Sequence, residues 1–423
     1  MRLHRASFRA LALTSIAAAF ACSSAPQTVA SHVGSSSRQA DSVPNVPLFF
    51  AQVTDLAAGA EEVDGSGNTY VAGIASATAY VDVFDVNGKE TAHRRVRSGQ
   101  ALTATAVRVN DPGYIVGGQF GTDNNPEGAI QPHGWVWRYD IDGNLLFEFN
   151  GDVETTFGGA DLCEDGTTVA VVGTLLYDFD ASGNVNWSVT PPGLVASTKV
   201  RCLGDGAVLV AGRSGASNAA HAFAAQYESD GTQDFAWTGP DTVDPFGAVL
   251  FDIDNNGAPY FGATTTNSGG KAITVYALDT SGNVLWSAGS GGTADTFSGI
   301  SVSDVVAVTG TRIVSSTETH YLTNMLDTSG NALWTREDAV GGSTPASAQG
   351  VFLDDADNPF VCGMLATTDT GALLYAAGDG STMLEYDMED IAARWADVTN
   401  GVGRCIGRLA NGQGTGIVAF QVE

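Results

Sequence analysis

The chain has 423 residues, with 47 acidic against 19 basic side chains, a formal net charge of −28 at pH 7, 52 glycines and only 16% charged residues. So acidic a surface repels phosphate backbones and anionic lipid, and no nucleic acid is expected as a partner. Abundant glycine with few charges argues against long solvent-exposed helices and for short strands joined by tight turns.

In chain order, MRLHRASFR (1–9) carries three arginines and ALALTSIAAAFA (10–21) is a run of 12 apolar and small residues, followed directly by Cys22. Such a run is shorter than the roughly 20 residues an α-helix needs to cross a bilayer core. A charged start, a short apolar stretch and small residues before a cut read as an export signal over 1–21. Ala19-Phe20-Ala21-Cys22 is similar to the lipobox of bacterial lipoproteins, although Ala19 stands where Leu is usual and Phe20 where a small residue is usual. That resemblance implies lipidation of Cys22 and a chain held at the outer membrane or cell surface through its N-terminal lipid only. An ordinary signal-peptidase site, Ala19-x-Ala21, is the alternative and gives a secreted or periplasmic protein. Residues 22–44 are small and polar without a hydrophobic period, as in a flexible tether.

From residue 45 to 423 one unit of roughly 40 to 55 residues recurs, the period of a repeat fold. Strand character is clear in GWVWRYD (134–140), TTVAVVG (167–173) and AVLVAG (207–212), and no window shows a helical period. Third-to-fourth-strand turns are read at DVNGK (85–89), DIDGN (140–144), DASGN (180–184), SDGTQ (229–233), DTSGN (279–283), DTSGN (327–331) and DMEDI (387–391). The aromatics that follow them are His93, Phe147, Trp187, Trp237, Trp286, Trp334 and Trp395. In LDTSGNVLW (278–286) and LDTSGNALW (326–334) the Asp and Asn can bond turn backbone, the Gly can take positive φ, and the Trp can fill space between sheets.

Four strands per unit of this length predicts an all-β fold, a β-propeller of four-stranded blades. VPLFFAQV (46–53) reads as a lone fourth strand, and GRCIGRLAN (403–411) and GTGIVAFQV (414–422) as a lone first and second strand. That favours eight blades, closed by pairing the N- and C-terminal strands, with seven blades the alternative. The pattern D-x-x-G-N-x-x-W, together with VDGSGNTYVAG (63–73), resembles the bacterial β-propeller repeats of exported surface lipoproteins, notably of delta-proteobacteria. The repeat in 277–286 is also similar to the docking repeats of pyrroloquinoline-quinone dehydrogenases, but one residue shorter, and the adjacent Cys-Cys pair that such enzymes commonly use is absent.

Asp252-x-Asp254-x-Asn256-Gly257 matches the opening of a calcium loop, and Asp178-x-Asp180-x-Ser182-Gly183 is a weaker version, but Ala263 occupies the twelfth position, where an EF-hand has Glu. No cofactor is expected, and calcium is the candidate these loops raise, against the plain reading that acidic, amide and Gly residues gather at hairpin turns. Cys163 and Cys202 fall near the ends of first strands in adjacent units, and Cys362 and Cys405 also fall in adjacent units, so both pairs are candidate disulfides in an exported chain. The alternative is that they are small buried hydrophobes. No zincin, nucleophile-elbow, P-loop or dinucleotide motif occurs. The expectation is an exported, lipid-anchored propeller acting as a non-catalytic binding or structural module for a protein, peptide or glycan. The alternative is an envelope enzyme, a quinone-dependent dehydrogenase, hydrolase or lyase with a site in the channel.

Overall fold

In a propeller blade the second and third strands are covered on both sides by neighbouring blades, and the sequence supplies them with nearly unbroken apolar runs. Thr168–Val172 (TVAVV) is buried at every position, and Pro359–Leu365 (PFVCGML) at all but one. The computed structural model describes residues 49–421 except 55–56, 98–100, 111–112, 123–130, 153–154, 217–218, 246, 340–345, 366–368, 389–390, 400–401 and 410–413. The export signal, Cys22 and the tether lie outside the described residues.

The described residues form eight four-stranded antiparallel sheets. Blades 1 to 7 span 57–97, 101–150, 157–189, 194–242, 249–289, 295–338 and 346–388. In each the strands pair in sequence order. Successive first strands pack against one another, so these strands lie innermost, and blade 8 packs on blade 1 to complete the ring.

Blade 8 draws on both ends of the chain. Ile391–Thr399, Val402–Leu409 and Gly414–Gln421 are its first three strands, and Phe49–Thr54 pairs with the last of them, from Phe49 opposite Ala419 to Thr54 opposite Gly414. The closure follows the expected scheme, but the C-terminal segment contributes three strands rather than two. Trp395 therefore belongs to the first strand of blade 8 and does not follow a third-to-fourth turn of blade 7. In blade 7 that turn lies at 376–381, and its fourth strand, Thr382–Met388, buries Leu384 and Tyr386 in place of a tryptophan. The segment read as the turn DMEDI falls at the junction between the blades.

The Asp-x-x-Gly-Asn turn is a local hydrogen-bonded device. Asp279 Oδ1 accepts from the N–H groups of Ser281 (2.9 Å) and Asn283 (2.8 Å), and Asn283 Nδ2 donates to Oδ2 (2.9 Å). These donors, with the Asn283 side chain foremost, hold the Asp279 carboxyl below its ordinary range. Asp327, Asp180 and Asp140 repeat the arrangement.

The tryptophan joins one blade to the next. Trp187, Trp286 and Trp334 each donate their indole N–H to a turn carbonyl of the following blade, at Ser229 (2.9 Å), Thr328 (2.8 Å) and Ala377 (2.9 Å). Trp286 lies flat on the turn of blade 6, where Gly330 has φ +85° and a Cβ would come within 2.6 Å of the indole. Blade 4 departs from the expected assignment. Phe235, four residues after Gly231, covers the next turn at Gly282, and Trp237 is instead buried against Phe261 and Tyr276. In blade 1 the wedge is Arg94, which packs on Gly143 and donates to the Ile141 carbonyl (3.1 Å); His93 points to the other face. In blades 2 to 6 the wedge stands four positions after the turn glycine, at Phe147, Trp187, Phe235, Trp286 and Trp334, whereas in blade 1 Arg94 stands six after Gly88.

Two disulfides cross blade boundaries. Cys163 and Cys202 tie blade 3 to blade 4 with Cα atoms 5.3 Å apart, and Cys362 and Cys405 tie the second strands of blades 7 and 8 with Cα atoms 5.9 Å apart. The second bridge, with the buried Arg404 donating to the Gly67 carbonyl of blade 1 (3.2 Å), fixes blade 8 on both sides.

Candidate functional site

Every first strand except that of blade 5 carries a β-bulge against its second strand, at Gly59, Thr105, Gly158, Thr198, Ser298, Gln349 and Arg394. A bulge resets which residues face inward. Three positions beyond it stand Glu62, Arg108, Asp161, Arg201, Ser301 and Phe352, and Asp252 takes the same place in blade 5. All seven line one cavity of about 440 Å³ at the centre of the ring, together with Lys199 and Glu164.

Across blades 1 to 5 these residues alternate in charge: Glu62, Arg108, Asp161, Arg201, Asp252. Arg108 pairs with Glu62 at 2.8 Å and approaches Asp161 at 3.9 Å, and Arg201 pairs with Asp252 at 2.6 Å. The same side chains lace the blades together. Asp161 accepts from the Cys202 N–H (2.8 Å), Asp252 from the Val302 N–H (2.9 Å), and Ser301 Oγ from the Leu353 N–H (3.2 Å). Burial raises the Asp161 carboxyl above its ordinary range, against the opposing pull of Arg108, whereas the Glu62 charge raises Arg108.

Lys199 adds a second cationic feature. It is one of only three lysines in the chain. At the equivalent inner position blades 1, 2, 3, 5, 6 and 7 have Ala60, Ala106, Gly159, Leu250, Gly299 and Gly350, none of them charged. Its Nζ donates to the Phe251 carbonyl (2.7 Å) and sits 5.1 Å from the centre of the Phe251 ring. Burial lowers its pKa to about 8, with the Asp252 charge opposing. Lys199, Arg108 and Arg201 thus gather at one point in a strongly acidic protein, matched by Glu62, Asp161, Glu164 and Asp252. The cavity offers donors and acceptors in nearly equal measure.

The two calcium-loop candidates are divided between different tasks. Asp252 faces the cavity and binds Arg201, whereas Asp254 accepts from the N–H groups of Asn256 and Ala258 in its own turn (2.8 and 2.9 Å). Asp178 is buried on the third strand of blade 3 and accepts from Asn186 Nδ2 (2.9 Å), whereas Asp180 accepts from the N–H groups of Ser182 (2.8 Å) and Asn184 (2.9 Å). Of all these residues, Asp252 alone belongs to the central cavity. Sequence reasoning passed over Glu62, Arg108, Asp161, Lys199 and Arg201. The available signal was an ionisable side chain near the end of successive first strands, in GluGluVal (61–63), ValArgVal (107–109), AlaAspLeu (160–162), ValArgCys (200–202) and PheAspIle (251–253).

No family model matches the chain, and no curated protein matches it in sequence. Among solved structures it is similar to the computationally designed Ika8 protein, with a TM-score of 0.59 and 12% identity over 89% of this chain and 99% of that one. It is also similar to a eukaryotic initiation factor, with a TM-score of 0.50 and 10% identity over 82% of this chain and 81% of that one. The β-propeller domain of Cps50 (Swd1) from Myceliophteria thermophila gives a TM-score of 0.47 and 10% identity over 78% of this chain and 99% of that one. At these identities the likeness bears on the fold alone, and the β-propeller itself is read from the ring of eight four-stranded sheets.

Proposed function

We propose that the protein is an exported, lipid-anchored β-propeller that serves as a non-catalytic binding module at the cell envelope, with the central cavity as its ligand site. The observation that carries the reading is the belt of alternating charges from five successive blades around one cavity of about 440 Å³. Each belt carboxylate already accepts a guanidinium or a backbone N–H, and Lys199 holds a carbonyl. Groups so engaged are poised to orient a bound molecule rather than to take up or release a proton. Mixed donors and acceptors beside the Phe352 ring suit a polar, nearly neutral ligand, a segment of peptide or glycan.

Binding of short peptides and oligosaccharides to the purified protein, followed by calorimetry with mass spectrometry of the recovered ligand, tests this. Binding should weaken by roughly tenfold in Arg201→Ala and in Lys199→Met, the loss of one charged hydrogen bond, and the ligand should be recovered unchanged. Conversion of the ligand, or affinity indifferent to both substitutions, refutes the reading. The anchor is tested separately: Cys22→Ser should move the protein from the membrane to the soluble fraction, and an unchanged distribution argues against lipidation.

A further inference from the structure

On the outer side of blade 1, away from the central cavity, the third strand Thr78–Phe84 and the fourth strand Glu90–Arg97 bring three potential ligands together. Asp82 lies directly opposite His93 in the strand register, and Glu90 is opposite Phe84 just beyond a bulge. One ligand atom from each of Asp82, Glu90 and His93 falls within 4.8 Å of the other two.

Three features mark this cluster off from an ordinary surface ion pair. Asp82 is fully buried, and although its Oδ1 meets His93 Nδ1 at 2.5 Å, its Oδ2 has no hydrogen-bond partner among the described residues. An orphaned oxygen on a buried carboxylate is rare and calls for a partner. The Tyr80 ring stacks on His93 at 4.6 Å, which fixes the plane of the imidazole. The charges acting on Asp82 are His93 and a second anion, Glu90, and among the described residues no lysine or arginine pairs with it.

A superficially similar group in blade 6 shows the contrast. His320 meets Glu318 (3.0 Å) and Glu337 (2.9 Å), but there Arg312 binds both Glu337 (2.9 Å) and Asp295 (2.8 Å), so the balancing cation is part of the fold. Among the described residues, blade 1 has no such arginine paired at its cluster.

We infer that Asp82, Glu90 and His93 form a binding site for a divalent cation of the zinc type. One imidazole nitrogen and two carboxylate oxygens suit zinc, which takes mixed N and O ligands four-coordinate, better than calcium or magnesium, which require more oxygens. Two carboxylates with a neutral imidazole balance a double positive charge. Zinc ligands stand about 2 Å from the metal. Closing the cluster onto an ion therefore widens the short His93–Asp82 contact and draws the exposed Glu90 side chain in toward the buried Asp82, with a water in the fourth position.

The test is titration of the purified, EDTA-treated protein with Zn²⁺ by calorimetry, and with Co²⁺ by visible absorption. One site per chain is expected, with a tetrahedral Co²⁺ spectrum. Glu90→Gln and His93→Gln should each weaken that site by at least roughly tenfold. Glu90 is exposed, so its substitution leaves folding intact and keeps the test decisive. Absence of a stoichiometric site, or a site equally strong in both variants, overturns the inference, the second result meaning that the ion binds elsewhere on the acidic surface.

Discussion

The contact between Trp286 and Gly330 offers a quantitative test of how the blades are held together. Trp286 is partly buried and donates to the Thr328 carbonyl, and Gly330 lies beneath its indole. Removing about 100 Å² of buried ring at about 25 cal/mol/Å² costs about 2.5 kcal/mol, and loss of the indole hydrogen bond about 1 kcal/mol, so Trp286→Ala should destabilise by about 3.5 kcal/mol. Gly330→Ala forces a Cβ into a left-handed residue, about 1 kcal/mol, and into the indole, about another 2 kcal/mol. In the double variant the steric clash disappears with the indole and only the backbone cost is added. Urea unfolding of the four proteins with their disulfides intact should therefore show a double variant about 2 kcal/mol more stable than the sum of the single effects. Additivity within about 0.5 kcal/mol, or a Trp286→Ala cost below about 1 kcal/mol, would refute the proposed blade-to-blade wedge.

Other outcomes follow from the bridges and from the cavity. Replacing Cys362 and Cys405 with Ser opens a link across 43 residues, for which loop closure gives a loss of about 4 kcal/mol, measurable as a lower urea midpoint; an unchanged midpoint would show that the bridge does not hold the closing blade. Thiol titration in denaturant of protein lacking Cys22 should find no free thiol, since the other four cysteines are paired. Because the Lys199 pKa is lowered to about 8, the unfolded chain binds more protons than the folded one between about pH 8 and 10.5, so this group adds stability as pH rises through that window. Lys199→Met should abolish up to about 3 kcal/mol of that rise, seen as a flatter pH dependence relative to the parent, and parallel profiles would contradict the assigned burial.

Much of the fold could be read locally because a propeller repeats one hairpin chemistry. Asp279, Gly282 and Asn283 form their turn by bonds within five residues, so the same letters report the same turn in each blade. Blade assignment slipped where aromatics alone were followed. Trp395 is a first-strand residue, and Trp237 and His93 sit two and one positions away from the slots filled by Phe235 and Arg94. The cavity was harder to read, because Glu62 and Arg108 are 46 residues apart, Arg201 and Asp252 are 51 apart, and no one blade contains a pair.

The sequence by itself determined the strand-and-turn period, the hairpin chemistry and the use of both chain ends to complete a ring, since each rests on alternation or on short-range bonds. Only the tertiary structure decided which side chains meet. The inward face of each first strand is set by a bulge that depends on pairing with the second strand, and a shift of one residue there sends the same side chain to the opposite face. For that reason five ordinary-looking charges, one per blade, became a single belt around a cavity only when the ring had closed.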